Sequence, residues 1–343
     1  MRSATSLRAV RTATLAVLLL LPLVALPRTA RGQSDSGLPR LEAELQRLIP
    51  LSAGKMGIGV VHLETGRELF LNGDEGFPMA STFKVPIAVQ FLTLVDQGKA
   101  RLDSIVSLKP SDLHPGSSTL SNLFDDPGVS LSLRNMIELM LLISDNSATD
   151  IMLKAAGGAG AVNARLAALD VSGISVNRPT IALIADAIGV KQLPPESEWN
   201  PKLFQGLAQS VSETDRKAAA AAFYKDPRDT ATPRGMARLL EKIWMRQALS
   251  ETNSALLLDI MYRCQTGQER IKGMLPPNIP VAHKTGTLGL GVAGDVGIVD
   301  LPGDAGHVII VAYVKESTKD TPAQEKAIAQ VARAAYDYFV FNK

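Results

Sequence analysis

Apolar positions between residues 38 and 49 recur at helical spacing, which predicts an amphipathic helix there. Two alternating runs, 56–63 and 67–72, flank Glu64-Thr65-Gly66 and predict a β-hairpin. Helical spacing returns over 82–95 and over 133–153, and the alanine-rich stretch 218–223 also favours helix. The chain then reverts to strand-forming runs, 296–301 and 307–314, before a closing helix over 322–339. Strands near both ends with helices between them predict an α+β fold. Its antiparallel sheet is built from N- and C-terminal segments packed with helices, beside a mostly helical middle lobe.

The first 32 residues do not fit this pattern. They hold five arginines and no acid: a basic head (2–11), an apolar stretch (15–26) too short and wrongly flanked for a membrane span, and small residues around Arg31. A secretory signal peptide over 1–32 is expected, with a catalytic domain over 33–343 that is periplasmic or secreted. Removing it changes the charge. The full chain carries 36 basic and 34 acidic residues, net +2, whereas residues 33–343 carry 31 and 34, net −3. A nucleic-acid-binding surface loses its electrostatic support. Cys264 is the only cysteine, which excludes an intrachain disulfide framework and a Cys-rich metal site, and four histidines leave little for a metal. No metal or cofactor is expected. No cysteine follows the apolar stretch to carry a lipid, so no stable membrane anchor is expected, and the protein is taken as a monomer.

Three short motifs carry candidate chemistry. Ser81-Thr82-Phe83-Lys84 opens a predicted helix and sets a hydroxyl and an amine on one face, one turn apart. A serine hydroxyl is a poor nucleophile until an adjacent base takes its proton, and a lysine of lowered pKa supplies that base. The pattern alone is weak, since Ser52-Ala53-Gly54-Lys55 repeats it. Ser144-Asp145-Asn146 follows the apolar stretch 136–143, and Lys284-Thr285-Gly286 follows a strand-like run, 279–282. Their order, Ser-x-x-Lys, Ser-Asp-Asn, Lys-Thr-Gly, is far more specific than any member.

With these motifs the chain resembles the class A serine β-lactamases, within the penicillin-recognising serine hydrolases. Further residues extend the resemblance. Phe77-Pro78-Met79-Ala80 leads into the serine, with Ala80 where many members carry Cys, and Ser147-Ala148-Thr149-Asp150 continues the second motif. Arg228-Asp229-Thr230-Ala231-Thr232-Pro233 resembles the end of the family's omega loop. Thr266-Gly267-Gln268-Glu269-Arg270-Ile271 resembles a stretch supplying a substrate-binding arginine.

The resemblance implies hydrolysis of the β-lactam amide, with a small-molecule β-lactam as the partner. Ser81 is then the nucleophile, Lys84 its proton acceptor, and the backbone N–H groups of Ser81 and Thr287 the oxyanion donors. Ser144, kept acidic by Lys284, would pass a proton to the departing nitrogen, and Asn146 would contact the substrate's side-chain amide. Thr285, Gly286, Thr287 and Arg270 would line the subsite for the antibiotic's carboxylate.

One departure stands out. The family's Arg-x-Glu element, whose Glu activates the deacylating water, corresponds here to Arg178-Pro179-Thr180, and Thr180 is no carboxylate base. The distance from Arg178 to Asp229 implies an insertion in the omega loop, 179–227. Within it, Glu196 and Glu198, followed by Trp199 and Asn200, are the leading candidates for a replacement base; Glu213 and Asp186 are weaker. Two rival readings share the nucleophile: a D-alanyl-D-alanine peptidase-like hydrolase, and a β-lactam sensor that acylates without turnover. Cys264 is expected to pack as a small buried residue, and His283 as a strand-face histidine.

Overall fold

A computed structural model describes residues 37–342 except 115 and 125–127; the expected signal peptide lies outside the described residues. Helix α1 (Leu38–Leu48) buries Leu41, Leu45 and Leu48 along one stripe and is followed by the hairpin of β1 (Lys55–His62) and β2 (Glu68–Leu71). A short strand β3 (Phe77–Pro78) and a 3-10 turn then enter α2 (Lys84–Asp96). Ten consecutive residues of α2, Lys84 to Thr93, are buried, so this helix is the axis of the helical lobe.

Around α2 lie the paired strands β4 (Ile105–Ser107) and β5 (Ser130–Ser132) and helices α3 (Thr119–Leu123), α4 (Leu133–Leu142), α5 (Asn146–Ala155) and α6 (Gly158–Ala168). The helix expected over 133–153 is therefore two helices. Ser144 between them has φ 61°, and the Asp145 side chain caps α5 by accepting from Ala148 N at 2.8 Å. A short acceptor that can satisfy an orphan N–H of a new helix competes with continuation of the old one.

Segment 179–227 holds α7 (Thr180–Ile188), α8 (Pro201–Ser210) and α9 (Glu213–Phe223). It has small apolar clusters of its own. Ile181, Ala185, Val190 and Phe204 form one, while Leu183, Ala187 and Phe223 pack with Leu288 and Leu290. Strand β6 (Thr230–Ala231) pairs with β3, and α10 (Pro233–Trp244) and α11 (Glu251–Tyr262) return the chain to the sheet. There β7 (Val281–Gly289), β8 (Val292–Asp300) and β9 (His307–Lys315) precede α12 (Thr321–Phe341).

The main sheet is antiparallel, in the order β2-β1-β9-β8-β7. On β9, Ile309, Val311 and Tyr313 face the cluster containing α2, whereas Val308, Ile310, Ala312 and Val314 face α1 and α12. A strand buried on both faces reads as a continuous apolar run, as this one does. Strand β7 forms one edge of the sheet and carries the third motif beside the helical lobe. The glycine-rich connection after it is a tight hairpin turn, with Gly289, Leu290 and Gly291 at φ 64°, 52° and 70°.

Candidate active site

Ala80 has φ 43°, a costly conformation for a residue with a Cβ. It turns the chain from β3 into the 3-10 turn Ala80–Phe83. Ser81, in that turn, lines a cavity of about 210 Å³. Lys84 opens α2 and is fully buried. Its Nζ donates to Ser144 O at 2.7 Å, Ser144 Oγ at 3.0 Å and Asn146 Oδ1 at 3.1 Å. The Ser-Asp-Asn loop is fixed in turn, because Asp145 also accepts from Leu120 N at 2.9 Å and Asn146 N donates to Ser117 O at 2.7 Å.

Lys284 reaches the same hydroxyl from β7: its Nζ donates to Ser144 Oγ at 3.0 Å and to Thr285 O at 2.8 Å. Ser144 Oγ thus lies 3.0 Å from two buried amines. Burial disfavours charge on both, and the Lys284 charge further disfavours charge on Lys84. Lys84 is held well below the ordinary lysine value, by burial first and by the Lys284 charge second, against the pull of Asp145 and Asp150. Lys284 is pushed down to about 8, again by burial first; Cys264 and Asp295 oppose the shift and Arg270 adds to it.

Gly286 lets β7 approach the turn that bears Ser81: a Cβ there would lie 2.5 Å from Met79 O and 3.1 Å from Ser81 N. Beyond it, Thr287 lines the Ser81 cavity. Thr285 Oγ1 lies 2.6 Å from Thr266 Oγ1. Arg270 is buried beneath this strand rather than projecting from the surface. It donates from Nη1 to Gly286 O at 2.9 Å and Gly294 O at 2.8 Å, from Nη2 to Thr287 Oγ1 at 2.5 Å, and from Nε to Glu325 at 3.1 Å. Most of its donors are engaged, so its reach toward a ligand runs through Thr287.

The opposite wall is formed by α7, from which Thr180, Leu183 and Ile184 line the cavity. Thr180 N donates to Asp150 Oδ1 at 2.7 Å, and His114 Nδ1 lies 2.7 Å from the other oxygen of the same carboxylate. Two residues earlier, Arg178 is clasped by Asp229 (2.6 Å), Asp186 (2.5 Å) and Asp226 (3.0 Å). The clasp joins the two ends of segment 179–227.

Glu196 and Glu198 are not at this site. Both are exposed, neither lines the cavity, and Glu196 is bonded to Lys154. The adjacent Trp199 donates its indole N–H to Pro194 O at 2.7 Å and meets His114 edge-on, so it orients neither glutamate toward Ser81. Asp186 belongs to the Arg178 clasp, and exposed Glu213 pairs with Lys217 at 2.6 Å. Among the described residues, no carboxylate lines the Ser81 cavity.

Sequence reasoning missed two buried contacts. One is Asp150 with His114 and Thr180, which only the meeting of three distant segments creates. The other lies behind Lys284, where His283 Nδ1 is 3.0 Å from both Asp295 oxygens, its Nε2 is buried without a hydrogen-bond partner among the described residues, and the Cys264 thiol is close enough to interact with the imidazole. His283 therefore belongs to a buried charged group. Burial lowers its pKa, but Asp295 and Cys264 outweigh it and raise the value to about 9. Burial raises the Cys264 thiol, but His283, with Lys284, brings it down to about 6. Among the described residues, no cluster of three or more His, Cys, Asp or Glu side chains could hold a metal ion.

A family model described as the beta-lactamase enzyme family matches residues 40–339. The chain is 27% identical to Beta-lactamase VEB-1 of Pseudomonas aeruginosa, over 90% of this chain and 93% of that protein. A beta-lactamase of Bacteroides uniformis is 28% identical, over 94% of this chain and 97% of its own length. The solved structure of an ancestral class A beta-lactamase superposes with a TM-score of 0.70 at 30% identity, over 87% of this chain and 99% of that one.

Proposed function

The chain belongs to the β-lactamase enzyme family and hydrolyses β-lactams as a serine enzyme; we propose that Ser81 is its nucleophile and Ser144 its proton relay. In this reading Lys84 accepts the Ser81 proton as the oxygen attacks the ring carbonyl. The backbone N–H groups of Ser81 and Thr287 hold the developing oxyanion, where a well-aimed donor contributes about 3–4 kcal/mol. The proton passes from Lys84 through Ser144 to the departing ring nitrogen, and the Lys284 charge keeps that hydroxyl ready to donate. Asn146 contacts the substrate's side-chain amide while it holds Lys84. Thr285, Gly286 and Thr287 frame the antibiotic's carboxylate, with Arg270 acting through the Thr287 hydroxyl.

The observation that carries this reading is the Ser144 hydroxyl, 3.0 Å from each of two buried lysine amines and next to the turn that bears Ser81. Export belongs to the same proposal: the basic head and apolar stretch within 1–32 support a cleaved signal peptide and a periplasmic or secreted protein. No helix among the described residues is long and apolar enough to cross a membrane. The test is to mix the protein with a chromogenic cephalosporin and follow colour and intact mass together. Many equivalents of colour with a transient adduct are expected. One equivalent with a permanent adduct would identify a sensor instead, and cleavage of an acyl-D-Ala-D-Ala peptide without turnover of the cephalosporin a peptidase.

A further inference from the structure

We propose that the hydroxyl of Thr180 orients the water that releases the acyl group, and that Lys84 accepts that water's proton, so that deacylation proceeds without a carboxylate base. The inference rests on the reading above in which Ser81 carries the acyl group.

Thr180 is 5% exposed, its Oγ1 has no hydrogen-bond partner among the described residues, and it lines the cavity that holds Ser81. Buried hydroxyls are rarely left without a partner. This one is also firmly mounted. Its own N–H is bonded to Asp150, and Arg178 two residues earlier is locked to Asp229. On its own wall Thr180 is the polar group, since the neighbouring lining residues of α7, Leu183 and Ile184, are apolar, and the other polar side chains of the cavity, Ser81, Ser117, Asn146 and Thr287, come from other segments. Asn146 lines the same cavity, and its Oδ1 accepts from Lys84 Nζ at 3.1 Å, so the buried amine lies directly behind a lining side chain of that space.

The proton count closes. During acylation Lys84 takes the Ser81 proton and sends it through Ser144 to the ring nitrogen, which leaves a neutral amine. The water oxygen then bonds to the ester carbonyl while its proton moves to Lys84 Nζ. Collapse of the tetrahedral intermediate breaks the bond to Ser81 Oγ, which recovers the proton from Lys84. The charged groups acting on Lys84 are Lys284 from β7, and Asp145 and Asp150 from the start and middle of the α5 segment; burial with Lys284 outweighs the two acids and favours the neutral amine.

The test measures deacylation of a chromogenic cephalosporin adduct by stopped flow and intact mass on the full chain. Thr180→Val keeps the side-chain shape; it is expected to retain the one-equivalent burst, with acylation within about twofold, while deacylation slows at least about tenfold. Thr180→Ser should restore most of the lost rate. An acidic pH jump applied to the preformed wild-type adduct should slow release as the amine becomes protonated. Unchanged deacylation in Thr180→Val, release that does not slow on acidification, or a tenfold loss of deacylation in Glu196→Gln or Glu198→Gln would each overturn the proposal. Failure of the wild-type protein to form any adduct would instead overturn the Ser81 reading, and this inference with it.

Discussion

The Arg178 clasp is the most direct place to test whether helices α7 to α9 are bound into the site. Arg178 and Asp229 are both buried, and Asp229 also accepts from Asn177 N at 2.7 Å and Arg178 N at 3.1 Å. Replacing Arg178 with Met keeps much of the stem but leaves Asp229 as a buried carboxylate without its countercharge. Breaking a buried pair in this way costs about 3–5 kcal/mol. The lower end applies here, because the two backbone N–H bonds remain and Asp186 is partly exposed. Unfolding entropy for a domain of about 300 residues is roughly 0.6 kcal/mol/K, so a loss of about 3 kcal/mol lowers Tm by about 5 °C. The assay is thermal unfolding by circular dichroism at neutral pH. Arg178→Met combined with Asp229→Asn should recover about half of the loss, since the amide oxygen still accepts backbone bonds and no charge is stranded. A single-variant shift below about 1 °C, or a double variant as unstable as the sum of its parts, would refute the reasoning.

Three other outcomes follow from the geometry. Ser81→Ala should abolish covalent capture of penicillin, and a stable adduct on that variant in intact-mass measurement would end the nucleophile assignment. Lys284, with its pKa near 8, is charged below that pH and neutral above it, so the acylation rate should fall with a midpoint near pH 8 and the alkaline limb should flatten in Lys284→Arg. Its folded value lies below the unfolded lysine value, so as pH rises between the two the folded state gains stability from this group. The Cys264–His283 pair has the opposite balance: the lowered thiol loses its stabilising charge as pH falls through about 6, and the raised imidazole loses its own as pH rises through about 9. Between these values the folded and unfolded states bind the same number of protons, one on the imidazole and one on the thiol respectively, so the two effects offset and the pair leaves stability nearly flat with pH, while His283→Phe should move the thiolate absorbance titration upward.

The α+β class and the three motifs were legible because each depends on local order. The apolar run of β9 and the capping residue Asp145 act within a few positions of themselves. The break at Ser144 was harder to read, since the apolar spacing of 133–153 runs across it and only the capping bond of Asp145 ends the register. The location of Glu196 was not legible at all. Its partner Lys154 is 42 positions away and lies on α5, so the contact depends on how segment 179–227 folds back. His283 and Asp295 meet through the β7–β8 register, where Asp295 is opposite Thr285 and His283 is opposite Gly297; the diagonal pair exists only once the hairpin closes. Thr180 was recognised by what it lacks, a carboxylate, while its unpartnered hydroxyl emerged only from packing.

The pairing of β1 with β9 bears on how the polypeptide is made. Lys55 is opposite Lys315 and His62 opposite Val308, so a strand synthesised early must wait for some 250 further residues before its second neighbour exists. Such long-range closure is slow. A nascent chain therefore cannot close this sheet until its last strand has been made, and the early strand has only its hairpin partner until then.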